Sequence, residues 1–192
     1  ATHEERAITF CNSGVVMAST KTLMELVAAI EAGNAVKEYY LTDIVGSANA
    51  RGLSCTAIAC YEAETLGINT RAELAAAEAQ YQRCARSEAL ELGVGMVAPD
   101  TVFLSYDTYL GRDTYVEPNV VFGPGVTVET GATIRAFSHL EGCHVSTGAS
   151  VGPYARIRPG TEIGNDAKVG NFVEVKNTTL GEGAKASHLT YL

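Results

Sequence analysis

Positive charge is scarce in this chain: 14 Lys and Arg stand against 22 Asp and Glu, a net charge of −8 over 192 residues. So acidic a chain is not built to lie along nucleic acid or an anionic membrane, and any phosphate it holds falls to a local cluster of its few cations. Cysteine is sparse and unpatterned. Cys11, Cys55, Cys60, Cys84 and Cys143 show no C-x-x-C spacing, which argues against a disulfide framework or a Cys-based zinc site and suits a reducing cytosol. No apolar run reaches the length of a transmembrane helix, and no charged-then-apolar leader opens the chain. The polar start ATHEER, with Ala rather than Met in first place, is expected of a chain that begins inside a longer protein.

The last third of the chain lacks both the helical period of 3.6 and a sustained alternation. From Tyr115 to Leu192 it counts in sixes instead. Aliphatic or aromatic residues fall at Val116, Phe122, Val128, Ile134 and Leu140, and after one five-residue step they resume at Val145, Val151, Ile157, Ile163, Val169 and Val175. Four residues after nearly every one stands a small or branched residue, as at Val120, Ala132, Ala149, Ala155 and Ala167, and Gly often follows the aliphatic, as at Gly152, Gly164, Gly170 and Gly181. This period fits a parallel β-helix, three short strands and three turns to a coil, in which an apolar face is buried only by stacking on the next coil. At about eighteen residues per coil the stretch holds about four coils. A β-sandwich with Gly turns would show irregular spacing instead. The five-residue steps at Leu140–Val145 and Val175–Leu180 mark places where a coil must shift.

Ahead of the repeats the patterns are mixed. Residues 8–17, ITFCNSGVVM, read as two short strands broken at Asn12-Ser13-Gly14. That break is either a plain hairpin turn or a place where a bound group nears the backbone and the Asn12 amide. Ser19 or Thr20 caps a helix with Leu23, Leu26, Val27 and Ile30 on one face, closed by Gly33. Leu41, Ile44, Val45 and Ala48 mark a second helix; Tyr40 and Thr42 at its head either pack as core or line an anion-favouring helix N-terminus. Residues 53–60 read as a short strand. Thr70 and Glu73 then form a capping box on a helix running to Leu92, with Gly93 as its stop. About 34 Å long, it reads as an arm joining two bodies, with the domain boundary near residue 93 and the first coil approached over 94–114.

Chemistry-bearing side chains gather late, at Arg156, Arg158, Lys176, Lys185, His188 and Tyr191. Arg158 and Lys176 are one coil apart and leave the same edge of adjacent coils, where a guanidinium and an ammonium can grip a phosphate. An imidazole at His188 can take a proton from a nucleophile at neutral pH. Two other readings stay open: a merely solvated rim, or a zinc site drawing on His139, His144 and His188, for which no matching third ligand stands at a coil multiple.

In order, and over essentially the whole chain, NSGV, EYYLTDIV, GINTRAELAAAE, FSHLEG, VGPYARIRPGTEIG, AKVGNFVEVKN and LGEGAKASHLTYL resemble the bacterial bifunctional N-acetylglucosamine-1-phosphate uridyltransferase/glucosamine-1-phosphate acetyltransferases. The resemblance implies the α/β tail of a Rossmann-like nucleotidyltransferase domain over 1–69, a helical arm over 70–93, and the first coils of a left-handed parallel β-helix of hexapeptide repeats over 94–192. It implies a cytoplasmic homotrimer, with acetyltransferase sites between neighbouring β-helices, that makes UDP-N-acetylglucosamine for cell-wall and lipopolysaccharide synthesis. Acetyl-CoA acetylates glucosamine-1-phosphate, and UTP with Mg²⁺ then uridylylates N-acetylglucosamine-1-phosphate.

Arg158 and Lys176 match family residues that bind the sugar phosphate, Tyr191 matches a substrate-binding tyrosine, and His188 the general base. Glu174 is a candidate to orient His188, since a general base is commonly held by a third group. Asn12, Tyr40 and Thr42 match positions lining the sugar-nucleotide pocket, and Asn69 the asparagine that helps hold Mg²⁺. Ser13 replaces the family's Thr, and Lys37 its usual Gly. The family's Gly-rich UTP loop, its Mg²⁺-binding aspartate and the later coils that hold acetyl-CoA have no counterpart in these residues, so the chain alone is expected to be nearly inactive. The alternatives are a non-catalytic β-helix trimerisation module and a hexapeptide acyltransferase for another amine.

Overall fold

A computed structural model describes residues 3–30 and 38–192, and the chain divides into two compact units, residues 1–77 and 78–192. Gly33 and Lys37 lie outside the described residues. In the first unit α1 spans His3–Arg6, α2 Thr20–Val27 and α3 Asp43–Ala50. Ser19 caps α2 as its spacing suggests, its hydroxyl accepting the N–H of Thr22 at 3.2 Å. Leu26, Ile44 and Ala48 form a small buried core where α2 meets α3, with Leu23 and Ile30 against it. The two strands expected within 8–17 and the one at 53–60 are not formed. A strand is held by its neighbours, and these segments pair with none among the described residues; Ile8, Phe10, Val15 and Ile58 are exposed.

The helix α4 spans Arg71–Glu91 and starts at the expected capping box. The Glu73 carboxylate accepts the N–H groups of Asn69 and Thr70, both at 2.7 Å, and the Thr70 hydroxyl accepts the N–H of Glu73 at 3.2 Å. The division between the units falls inside this helix. Its residues from 78 onward cap the solenoid: the Gln82 amide donates to the Leu104 carbonyl at 2.7 Å and accepts the Leu104 N–H at 3.0 Å. Arg86 donates to the Val102 carbonyl at 3.2 Å and to Asp100 at 3.1 Å. Two long polar side chains, both buried, thus satisfy the backbone of the first coil where no earlier coil lies beneath it.

The second unit is a three-walled parallel β-helix. The first wall stacks Gly95–Met96, Tyr115–Val116, Thr133–Ile134, Ser150–Val151, Lys168–Asn171 and Lys185–His188. The second stacks Val121–Phe122, His139–Leu140, Arg156–Ile157 and Glu174–Val175, with single bridges at Phe103 below and Tyr191 above. The third stacks Tyr109–Leu110, Thr127–Val128, Cys143–Val145, Thr161–Ile163 and Thr179–Leu180. The four coils read from Tyr115 onward are therefore preceded by one more, within residues 95–110, whose irregular corner holds a short turn at Pro99–Thr101.

Register explains the sixes. On the third wall Val128 lies beside Val145, Val145 beside Ile163, and Ile163 beside Leu180. Inward aliphatics thus stack on inward aliphatics, and Val116, Phe122, Val128, Ile134, Leu140, Val145, Val151, Ile157, Ile163, Val169 and Val175 are all buried. The two five-residue steps fall at the corner between the second and third walls, where Gly142 and Asn177 take φ of 52° and 48°.

Where coils approach most closely a side chain cannot fit. A Cβ on Gly170 would land on the Ser187 carbonyl oxygen of the next coil, which is backbone and cannot swing aside. Gly170→Ala is therefore expected to lower stability by about 3 kcal/mol. Gly181→Ala, facing open space, should change it by less than about 1 kcal/mol. Gln82→Leu leaves the Leu104 N–H and carbonyl unpaired and should cost about 2 kcal/mol. Denaturant midpoints of the three variants check these values.

Candidate functional site

The outer face of the second wall carries the late cluster of cations. Ile157 and Val175 point inward and are buried, so by strand alternation Arg156, Arg158, Glu174 and Lys176 point out. The Arg158 N–H donates to the Val175 carbonyl and the Lys176 N–H to the Leu192 carbonyl, both at 2.9 Å, which stacks Lys176 directly over Arg158 as the eighteen-residue spacing predicts. Tyr191, exposed, bridges to Glu174 on the same wall. Arg158, Lys176 and Tyr191 therefore share one face.

Ion pairs run diagonally across this face from coil to coil. Arg156 Nη2 meets Glu141 Oε2 at 2.8 Å, and Arg158 Nη1 meets Glu174 Oε1 at 2.9 Å. All four side chains are partly exposed, so each pair contributes about 0–1 kcal/mol. The hydrogen bond from Arg156 holds the Glu141 carboxyl below its ordinary value, while burial and then the Arg156 charge push His139 below the usual histidine value. Arg156 Nη1 is buried and has no hydrogen-bond partner among the described residues. Lys176 pairs with no carboxylate among the described residues, leaving it the uncompensated charge of the face.

His188 stands one corner away. It ends the strand Lys185–His188 of the first wall, in register with Asn171, and Leu189 and Thr190 carry the chain round to Tyr191. Its ring makes no hydrogen bond among the described residues. Glu174 does not orient it: Glu174 is in register with Tyr191, not His188, and its carboxylate is taken by the Arg158 guanidinium of the coil below. On the same corner Phe137, Tyr154 and Phe172 form a stacked, exposed column, with ring centroids 4.9 and 5.1 Å apart and interplanar angles of 5° and 22°. Sequence reasoning passed over this column, although its spacings of 17 and 18 residues carry the signal.

The remaining candidates do not converge. His139 lies on the second wall and His144 on the third, and among the described residues no group of three His, Cys, Asp or Glu is placed to hold a metal ion. Burial pushes the Cys143 thiol up to about 12, so it stays protonated and unreactive. In the first unit the Asn12 side-chain Oδ1 accepts the Gly14 N–H at 2.7 Å in a local turn, Tyr40 and Thr42 lie exposed ahead of α3, and Asn69 precedes α4. No hydrogen bond joins these four among the described residues. Toward Mg²⁺ Asn69 offers one amide oxygen, and the nearby Glu73 is committed to the backbone of Asn69 and Thr70.

Residues 142–177 match the family described as bacterial transferase hexapeptide (six repeats), and the solenoid is accordingly the left-handed parallel β-helix of hexapeptide repeats. The chain is 65% identical over 192 residues, its whole length, to the bifunctional protein GlmU of Cereibacter sphaeroides, covering 42% of that protein. It is 62% identical over the same 192 residues to the bifunctional protein GlmU of a Ruegeria species, covering 43% of it. Among solved structures, the acetyltransferase domain of PglB from Neisseria gonorrhoeae in complex with acetyl coenzyme A is 21% identical, with 58% of each chain covered and a TM-score of 0.27, so the fold rests on the coils themselves and not on that overlap. The chain spans about two fifths of the length of these curated relatives, and over all of its own length it belongs with the bifunctional GlmU proteins.

Proposed function

We propose that the protein to which this chain belongs makes UDP-N-acetylglucosamine, transferring acetyl from acetyl-CoA to glucosamine-1-phosphate and then uridylyl from UTP to N-acetylglucosamine-1-phosphate. One observation carries the first step: Arg158 and Lys176 stand one over the other on an otherwise acidic solenoid, with Tyr191 on the same face and His188 at the adjoining corner. A phosphate monoester suits such a pair, the guanidinium offering paired N–H donors and the ammonium a point charge. Glu174, held on Arg158 at 2.9 Å, keeps the guanidinium in place, and Lys176 supplies the charge that is not yet neutralised.

In the acetyl transfer the sugar's 2-amino nitrogen attacks the thioester carbonyl carbon. The C–N bond forms, the C–S bond breaks, and the amine's proton passes to the His188 imidazole and on to the departing thiolate. The exposed column of Phe137, Tyr154 and Phe172 gives the solenoid a ridge suited to a neighbouring copy, which supports a homotrimer with sites between β-helices. For the uridylyl step Asn12, Tyr40, Thr42 and Asn69 would seat the sugar phosphate, with Mg²⁺ and UTP held chiefly by residues outside this chain. Both donors are cytoplasmic metabolites, and the work belongs in that compartment.

Binding and turnover separate the roles. Arg158→Ala and Lys176→Ala are each expected to weaken glucosamine-1-phosphate binding about 10-fold or more in calorimetry, while plain glucosamine binds wild type and variants alike. In the full-length bifunctional protein, His188→Ala should lower kcat about 10²–10⁴-fold with little change in KM for the sugar. Unchanged turnover would leave the solenoid a structural module, and equal use of unphosphorylated glucosamine would point to another amine as substrate.

A further inference from the structure

The third wall carries a cluster that the candidate site does not use. His144, in the middle of Cys143–Val145, has its ring between two carboxylates: Nδ1 lies 3.0 Å from Glu162 Oε2, and Nε2 lies 3.0 Å from Glu129 Oε1. The three residues come from three successive coils. Glu162 is in register with His144 on the following coil, and Glu129 follows Thr127–Val128 on the preceding one, where Thr127 is the register partner of His144. Glu129 is also tethered. Its Oε2 accepts the N–H of Thr147 at 3.0 Å and the Thr147 hydroxyl at 2.9 Å, which leaves Oε1 for the ring.

Counting hydrogens decides what this arrangement requires. A neutral imidazole has one N–H and one lone pair; it can donate to one carboxylate only, and would turn its lone pair on the other. The imidazolium has two N–H groups and satisfies both. Among the described residues neither Glu129 nor Glu162 pairs with Lys or Arg, so His144 is the cation they share. The other groups against it, the Thr127 and Thr147 hydroxyls and the inward Cys143 thiol, bring no charge near neutral pH.

We propose that His144 is a proton-operated fastener which, when protonated, ties three successive coils of the solenoid together through Glu129 and Glu162, and when neutral releases one of them. The two bonds exist together only with the proton, so their contribution is complete where the ring is protonated and fades over the range in which it loses that proton. Glu129 stays ionised across that range, because the Thr147 hydroxyl and N–H hold its carboxyl below the ordinary value. The solenoid is thus tightened by mild acid at a point on the third wall, away from the cation face of the second.

Thermal unfolding of the chain at pH 5.5, 6.5, 7.5 and 8.5 tests this, comparing wild type with His144→Gln and Glu162→Gln. At pH 5.5 wild type is expected to melt about 3 °C above His144→Gln, a gap that closes to under about 1 °C at pH 8.5. Glu162→Gln should lose most of the pH dependence while His144 remains. The other three histidines are present in every protein compared and cancel. A gap that does not change with pH overturns the proposal. Should a variant not fold, ¹⁵N spectra of the wild-type ring decide: two protonated nitrogens at pH 5.5 and one at pH 8.5 support the fastener, and a singly protonated ring at pH 5.5 overturns it.

Discussion

Everything in the second unit depends on the parallel ladder that places each strand directly over its counterpart one coil earlier. A coil of 17 or 18 residues closes on itself only if every inward position of one coil meets an inward position of the next, as Val128, Val145, Ile163 and Leu180 do. No coil could bury its few aliphatics alone; the column they form together is continuous from Val94 to Ala186. The same constraint forbids a side chain at Gly170, where backbone meets backbone, and puts Phe137, Tyr154 and Phe172 at positive φ, a conformation that L-residues seldom adopt. Stacking their rings offsets part of that cost, since offset aromatic pairs contribute about 0.5–1.5 kcal/mol beyond the area they bury.

The ladder also turns sequence distance into side-chain neighbourhood on the outer faces. Residues one coil apart stand side by side, and those a coil less two or three residues apart reach each other diagonally. Glu141 finds Arg156, Glu174 finds Arg158, and His144 finds both Glu129 and Glu162. On the outer face of the second wall both arginines, Arg156 and Arg158, are thereby matched to carboxylates. Lys176 is left over, and it is left over directly above Arg158, so the wall's strongest appeal to an anion lies at one place and not along its length.

How much of this could be read without coordinates follows from which interactions are local in sequence. The hexads, the Ser19 cap and the Thr70–Glu73 box depend on spacings of three to six residues and are legible in the letters. The stacking of Arg158 on Lys176 is legible too, because its spacing is one coil. The strands expected at 8–17 and 53–60 are not formed, since a strand is a property of a pair, and an apolar alternation such as ITFC does not name its partner. By its length alone α4 reads as an arm; that Gln82 and Arg86 in its later half are buried as backbone caps is visible only once Leu104 and Val102 are seen beneath them.

Glu174 shows why a site is harder to read than a fold. A third group was expected behind His188, and Glu174 was the acidic residue at hand, but register places it against Tyr191 and one diagonal from Arg158. A carboxylate settles on the cation within reach, and here that is the guanidinium that would receive the phosphate. With Arg158 in its proposed role, Glu174 would serve the anion rather than the base: it fixes Arg158 while no phosphate is bound, and on the arrival of a phosphate it would either share the guanidinium's remaining N–H groups or give way. An arginine has five donors and Glu174 engages Nη1, so sharing is possible without breaking the pair. The proposed binding face would then be ordered before its ligand arrives, which is how a partly exposed ion pair of little stabilising value can still matter to function.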